Sequence, residues 1–309
     1  MTETNVHDAW NTFWERQNRG GSGDRKGSGC LPEGWQSIAE RQRQVWNSFA
    51  RSLPKGARVL DLATGDGVVL THLQENRRDL KLVGIDRATA LPKAPPGTKL
   101  RGGVDMEKLP FPDDHFAGVT SQFGFEYGDI AAIAAEIARV LNPTGKVGLV
   151  THRIDGPIVA HNRKRRMQIA WAIEENDLIT IARNSLTLRK SGIAAIPQAI
   201  IEAPEKGAAA HGAGSAAWEI SEAIRRTLHF GRNDDAQRVS SILDDILAQA
   251  SNELGRISSL EKAAATASDT ESFNEAMEKA GLHETGHAMV TDGRSPKPFA
   301  DYRTFTLAD

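Results

Sequence analysis

The residues with the most chemistry to offer lie in one short run, Val59-Leu60-Asp61-Leu62-Ala63-Thr64-Gly65-Asp66-Gly67. Apolar residues lead into small ones, and Val68-Val69-Leu70-Thr71-His72-Leu73-Gln74 then opens a helix. Gly65 and Gly67 let the main chain pass close to a ligand and take dihedrals that a side chain would forbid. The helix that follows presents unpaired N–H groups at its start. Asp86 comes 21 residues after Gly65, at the end of the apolar run Val83-Gly84-Ile85. A carboxylate there is placed to accept both hydroxyls of a ribose. Two ligand classes share this geometry. A dinucleotide site wants G-x-G-x-x-G/A, with a third small residue for close helix packing; here the third place is Leu70. Asp61, at the strand end, suits an ammonium group better than a pyrophosphate. A ligand that joins an adenosine to a free amino-acid end fits these residues, and S-adenosylmethionine is that ligand.

Further polar candidates stand at the ends of later strands, where ligands bind in open α/β sheets. Glu126 and Tyr127 follow the fourth strand, and His152 and Arg153 end the fifth. His152 is either a general base toward a phenol or hydroxyl or a hydrogen-bonded histidine at a strand terminus. Glu126 either orients an acceptor group or serves as an acid before the next helix. Arg153 either fixes an acidic acceptor or is solvated. Trp10, Trp14, Trp35 and Trp171 either line an apolar acceptor pocket or pin helices to the core. His283-Glu284-Thr285-Gly286-His287 matches H-E-x-x-H, but both histidines must share a helical turn to hold zinc. A strand is expected there, which sets them about 13 Å apart, so no metal site is expected. Arg163-Lys164-Arg165-Arg166 is a dense basic run, yet acidic and basic residues nearly cancel over 156–280. A solvated helix face is the expected role.

These groups need elements to hold them. Short apolar runs read as strands at 58–63, 81–86, 99–104, 116–123 and 146–152. A helix is expected at 129–141, with Ile130, Ile133, Ile137 and Leu141 on one stripe, stopped by Asn142-Pro143-Thr144-Gly145. Alternating strands and helices imply a parallel sheet covered on both faces. Upstream, 34–52 reads as an amphipathic helix, and 19–29 as a flexible loop. From 155 to about 267 the strand signal is lost. The Gly- and Ala-rich stretch 202–216 reads as a loop or hinge, and 236–262 as an amphipathic helix. A helix at 270–280 capped by Gly281, and strands near 282–291 and 301–307, close the pattern.

Composition sets the outer bounds. The chain has 309 residues, 39% hydrophobic and 25% charged, enough to bury a core. A formal net charge of -2 argues against a general nucleic-acid binder. The single cysteine, Cys30, excludes an internal disulfide framework and a multi-cysteine zinc site. No long apolar run spans a membrane, and the first residues show no export signal, so a cytoplasmic location is expected.

In order, VLDLATGDG, GID, VDMEKLPFPDDHFAGVTSQFGFEY and EIARVLNPTGKVGLVTH resemble class I S-adenosylmethionine-dependent methyltransferases. The nearest likeness is to the group that includes the ubiquinone/menaquinone C-methyltransferases. It covers roughly 56–152, with a weaker echo at 270–307. The resemblance implies a Rossmann-like α/β fold: a seven-stranded, mostly parallel sheet with helices on both faces. Residues 56–152 and 268–309 would form the S-adenosylmethionine-binding domain, 1–55 an N-terminal helical lid, and 153–267 a helical insertion after strand five that caps the acceptor or forms a homodimer. It implies that Asp61, Ala63, Thr64 and Gly65 line the methionine end of the cofactor, and that Asp86 and Arg87 hold the ribose. Asp105 and Met106 would flank the adenine, and Ser121 and Gln122 would close the pocket. His152 and Glu126 are the catalytic candidates; Trp14, Trp35, Tyr127 and Arg153 the acceptor-binding ones. Two departures stand out: Ala63 replaces the usual first glycine, and three prolines after Asp86 exclude the usual helix. The implied reaction is methyl transfer to a small or medium-sized organic acceptor, with S-adenosylhomocysteine as product. An RNA or protein methyltransferase, and a non-catalytic binding or dimerising module, are the alternatives.

Overall fold

The computed structural model describes residues 9–15, 35–189 and 195–308. The expected loop at 19–29 and Cys30 lie outside the described residues. Seven strands form one sheet: β1 (Arg58–Leu62), β2 (Lys81–Ile85), β3 (Lys99–Arg101), β4 (Phe116–Gln122), β5 (Leu141–His152), β6 (Leu282–Val290) and β7 (Ala300–Leu307). Their order is β3-β2-β1-β4-β5-β7-β6. The first five run parallel, and β7 lies antiparallel between β5 and β6. This is a Rossmann-like α/β sheet. From β1 the chain builds outward through β2 to β3, then returns to place β4 on the other side of β1. That reversal opens a crevice at the carboxyl ends of β1 and β4, where such sheets bind ligands.

The chain divides into two compact units, 1–159 with 259–309, and 160–258. In the first, the helices are α1 (9–15), α2 (Gln36–Ser52), α3 (Val68–Asn76), α4 (Ile130–Val140) and α10 (Thr270–Lys279), with the start of α5 (Pro157–Ala170) and the end of α9 (Ala236–Ser268). Helix α2 buries Ile38, Gln42, Trp46 and Phe49, spaced three and four apart on one face. The Trp46 indole N–H donates to Gln122 Oε1 at 2.7 Å. Helix α4 starts at Asp129, whose carboxylate accepts from Ala131 N and Ala132 N at 3.0 and 3.1 Å. It buries Ile133, Ala134, Ile137 and Val140. Where a turn is expected at 142–145, β5 begins at once: Leu141 pairs with Phe116, and Lys146 with Gly118. The Asn-Pro-Thr-Gly segment is thus a bulge within the strand, with Pro143 at a place that needs no ladder donor. No helix forms between β2 and β3, as the prolines require. Strand β3 is three residues long, shorter than the expected 99–104.

The second unit holds most of α5 and α9, a π-helical turn (Trp171–Glu175), α6 (Leu178–Arg189), α7 (Gln198–His211) and α8 (Ala216–Phe230). Its core joins Leu178, Ile179, Ile200, Ile224, Leu228, Val239 and Leu243. The expected loop at 202–216 is corrected here: most of it is helix α7, with Pro204 and Gly207 inside. The small residues serve packing. A Cβ on Gly207 would come within 3.0 Å of the Ala217 backbone, so glycine lets α7 and α8 approach closely. Helix α9 runs 33 residues, past the expected end at 262. Arg165, from the basic run on α5, donates to Glu253 on α9 and to Glu219 on α8. It is paired between helices rather than simply solvated. Trp171 sits edge-on to His211 of the same unit, 5.8 Å between ring centroids.

No described helix is long and apolar enough to cross a membrane.

Candidate active site

Three residues of the loop after β1 adopt left-handed dihedrals: Ala63 at φ 51°, Gly65 at 53° and Gly67 at 75°. Alanine at the first of these costs about 1 kcal/mol or more relative to glycine. The neighbouring chain still requires a small side chain there, because the Ala63 Cβ already faces Gly124. Asp61 is fully buried at the end of β1. Its Oδ1 accepts from the Thr120 hydroxyl at 2.8 Å, while its Oδ2 has no partner. Burial pushes the Asp61 carboxyl up to about 7, opposed by the nearby Thr64 and Thr120 hydroxyls and aided by Asp86 and Asp66. Asp86 is also buried. One of its oxygens accepts from Gly65 N and the other from Ala88 N, both at 2.9 Å. Burial raises its pKa too, against those backbone bonds. A carboxylate has about four acceptor positions, so two remain for hydroxyls of a ligand.

Trp14 of α1 covers this loop. A Cβ built on Gly65 would lie 2.5 Å from Trp14 Cζ2, and Trp14 is buried. Helix α1 is tied down next door by Asn11, whose Oδ1 accepts from Thr89 N at 2.9 Å. Gly65→Ala is therefore expected to lower stability by about 1 to 2 kcal/mol from the left-handed φ alone, with a further loss from the clash. In denaturant unfolding, Trp14→Ala should relieve only the second part. Additive effects of the two substitutions would contradict the contact.

Other expected cofactor residues fall in different places. Arg87 and Asp105 form an exposed ion pair at 2.8 Å on the rim. Met106 is half-buried against the core cluster that includes Leu60 and Ile85. The loop carrying both is clamped by Arg139, which donates to Leu109 O at 3.0 Å, Phe111 O at 2.8 Å and Asp113 Oδ1 at 2.8 Å. The Thr64 side chain faces Gly84 on β2, where a Cβ would leave only 2.4 Å. Ser121 donates to Leu62 O and accepts from Phe125 N, both at 3.0 Å. Gln122 is turned to Trp46. The side chains of Ser121 and Gln122 thus tie strands and helices together.

Glu126 and His152 come together. Both are buried, and Glu126 Oε1 accepts from the His152 ring Nδ1–H at 2.8 Å and from its backbone N–H at 2.9 Å. Glu126 Oε2 is buried without a partner. Among the described residues nothing bonds to His152 Nε2. The imidazole stacks on Phe123 with centroids 4.1 Å apart and planes 26° apart, and meets the edge of Tyr127 at 6.1 Å. Arg153, by contrast, is committed to structure. It donates to both oxygens of Asp301 at 3.0 and 3.1 Å and also binds Asp155. His287 reaches the same Asp301 at 3.0 Å, and His283 and His287 both lie on strand β6. Trp35 packs against the cluster that includes Ile38 and Trp46, beside the start of α2. Three contributors escaped sequence reasoning: Asn11, Thr120 and Phe123. Thr120 alone had a positional signal, as a hydroxyl on the strand next to Asp61.

Residues 59–145 match a family model described as a methyltransferase domain. A demethylmenaquinone methyltransferase from Deinococcus radiodurans is 30% identical over 157 residues, 43% of this chain and 65% of that protein. A demethylmenaquinone methyltransferase from Thermus thermophilus is 38% identical over 98 residues, 29% of this chain and 44% of that protein. The chain thus spans less than two thirds of these relatives' length. Among solved structures, a geranyl diphosphate C-methyltransferase from Streptomyces coelicolor aligns with a TM-score of 0.36 and 16% identity, over 49% of this chain and 66% of that one. With its strand order, its glycine loop and these sequence matches, the chain carries a methyltransferase domain over residues 59–145 that is similar to part of the demethylmenaquinone methyltransferases.

Proposed function

We propose that this protein is an enzyme that transfers a methyl group from S-adenosylmethionine to a small organic acceptor. The observation that carries the reading is the trio at the mouth of the sheet: buried Asp61 with an orphaned oxygen, Gly65 held at positive φ, and Asp86 bonded to the Gly65 amide. An unpartnered buried carboxylate oxygen fits an ammonium donor, and the free acceptor positions of Asp86 fit ribose hydroxyls. Gly65 and Ala63 let the main chain approach the amino-acid portion. Arg87, Asp105 and Met106, on the rim beside β2 and β3, would face the adenine and ribose. The bound cofactor supplies an electrophilic methyl group on a sulfonium. What remains for this chain is to align an acceptor and exclude water, and the half-buried aromatic rings around His152 suit that task. The curated relatives named for demethylmenaquinone support a small-molecule acceptor.

Calorimetry with S-adenosylhomocysteine should show micromolar binding, and its pH dependence tests the place of Asp61. An ammonium beside Asp61 favours the ionised carboxylate, so binding below pH about 7 expels the proton that burial retains. Affinity should rise from pH 5 to about 7, and fall only at more alkaline pH, where the ligand's α-amino group loses its charge. A flat profile, or one lost on replacing a residue other than Asp61, would contradict the assignment. The same burial bears on folding. The folded-state pKa is raised, so the native state holds the proton longer than the unfolded one. Stability contributed by that group is lost as pH climbs from about 4 to about 7.

A further inference from the structure

The two edges of the sheet are built differently. Strand β3 is three residues long and carries Lys99 and Arg101, charges that discourage another strand from adding there. Strand β6 is nine residues long, and its only neighbour in the sheet is β7. It contains no lysine, arginine or proline, and every residue from His283 to Met289 is exposed. Among the described residues, no strand pairs with its outer N–H and C=O groups. Met289, 64% exposed, is also the one exposed large hydrophobic side chain of the first unit among the described residues. The strand carries a bulge as well. Glu284 pairs with Phe305 and Gly286 with Thr304, so Thr285 is the extra residue. Its hydroxyl lies 3.0 Å from that of Thr304, which puts Thr285 and Gly286 on one face of the sheet. Glu284 and His287 oppose Phe305 and Arg303, two residues apart on β7, and share the other face. There Glu284 Oε1 stands 3.9 Å from His287 Nδ1. A regular strand laid along this edge would fall out of step with the faces beyond the bulge. A strand with the same two-residue step at the matching place would stay in step.

We propose that β6 pairs antiparallel with β6 of a second copy of this chain, across a two-fold axis that passes between Thr285 and Gly286. The two bulges then face each other, Thr285 of each copy opposite Gly286 of the other, and the alternation of faces is kept. Glu284 of each copy comes opposite His287 of the other, so the axis makes two Glu–His pairs from one. Side chains placed this way have Cβ atoms about 4.5 to 5.5 Å apart, within reach of each other. Further out on the same face, Met289 comes beside Leu282 of the other copy, which takes its exposed thioether out of water. On the opposite face His283 meets Ala288. A register centred on Glu284 would instead set two carboxylates against each other, which destabilises a strand pair. The sheet becomes continuous across both copies, with main-chain hydrogen bonds supplying affinity and the bulge and charges supplying register. This contact lies within the first unit, apart from the helical insertion, and it does not depend on the methyl-transfer reading.

Sedimentation equilibrium of the full chain should show a dimer of twice 33.5 kDa, in reversible exchange with the monomer at micromolar concentrations, as suits a small interface. Met289→Lys puts a charge on the outer edge at a side chain that is already exposed. The denaturant midpoint should stay at the parent's, while the dimer weakens about 10-fold or more. Cross-linking reads the register, in a Cys30→Ser background. His283→Cys chains mixed with Ala288→Cys chains should form a disulfide-linked pair on mild oxidation. Neither variant alone should do so, because each cysteine lies about 16 Å along the strands from its twin. A chain that stays monomeric at millimolar concentration would overturn the proposal and leave the edge to another part of the same chain. A dimer that survives Met289→Lys at the parent's strength would move the contact to another surface, the insertion included. Cross-linking of either variant alone, or none in the mixture, would exclude this register.

Discussion

Asp86→Ala should both loosen the fold and remove most of the affinity for S-adenosylhomocysteine. The two effects have separate origins. In the folded chain the carboxylate accepts from Gly65 N and Ala88 N, each at 2.9 Å and each buried. Truncation leaves two amide donors without partners, at about 1 to 3 kcal/mol each; a total of about 2 to 6 kcal/mol is expected in chemical denaturation. On the ligand side, loss of the acceptor for two hydroxyls should weaken binding at least 100-fold, about 2.7 kcal/mol. Asp86→Asn separates the contributions. The carboxamide retains one acceptor oxygen but turns an N–H₂ donor toward one backbone N–H, so stability should fall by less while binding still weakens strongly. Calorimetry that gave a parent-like dissociation constant for Asp86→Ala would exclude the ribose role; parent-like denaturation would exclude the loop-holding role.

Trp46→Ala is expected to be the most destabilising single change in the N-terminal part of the chain, at about 3 to 5 kcal/mol. The indole is 0% exposed. It meets Phe49 and Tyr302 edge-on at 6.0 and 6.2 Å and donates to Gln122 at 2.7 Å. It therefore joins α2 to β4 and β7 at once. Trp46→Phe keeps most of the apolar contact and leaves the Gln122 amide unpaired, so an intermediate loss of about 1 to 2 kcal/mol should remain. Replacing Gln122 by Met in that background should recover part of it. Should Trp46→Ala unfold at the parent's denaturant midpoint, α2 would be a loose appendage rather than part of the core.

What could be read from the chain alone followed how local each requirement is. The strands from 58 to 152 carry their own apolar runs. The cap of α4 is just as short-range, since Asp129 sits two and three residues from the amides it accepts. The loop at 63–67 is equally local, because positive φ values at Gly65 and Gly67 depend on the residues themselves. Helix α7 is the counter-example. Ala, Gly and Pro between 202 and 211 carry a local loop signal, and only the close approach of Ala217 turns Gly207 into a packing residue.

The side-chain roles divide in the same way. Sequence by itself determined that an acidic residue ends β1, that another ends β2, and that a glycine loop lies between them. That arrangement follows from spacing along one βαβ unit. It did not determine how the polar residues at the strand ends divide their bonds. Glu126 and His152 stand 26 residues apart, on a turn after β4 and at the end of β5, and parallel pairing of those strands brings them to 2.8 Å. Arg153, the next residue, is drawn instead to Asp301, because antiparallel β7 lies against β5 and sets Thr151 opposite Asp301. A buried charge goes to whichever partner the sheet register offers, and register between strands so distant in the chain is a property of the tertiary structure alone.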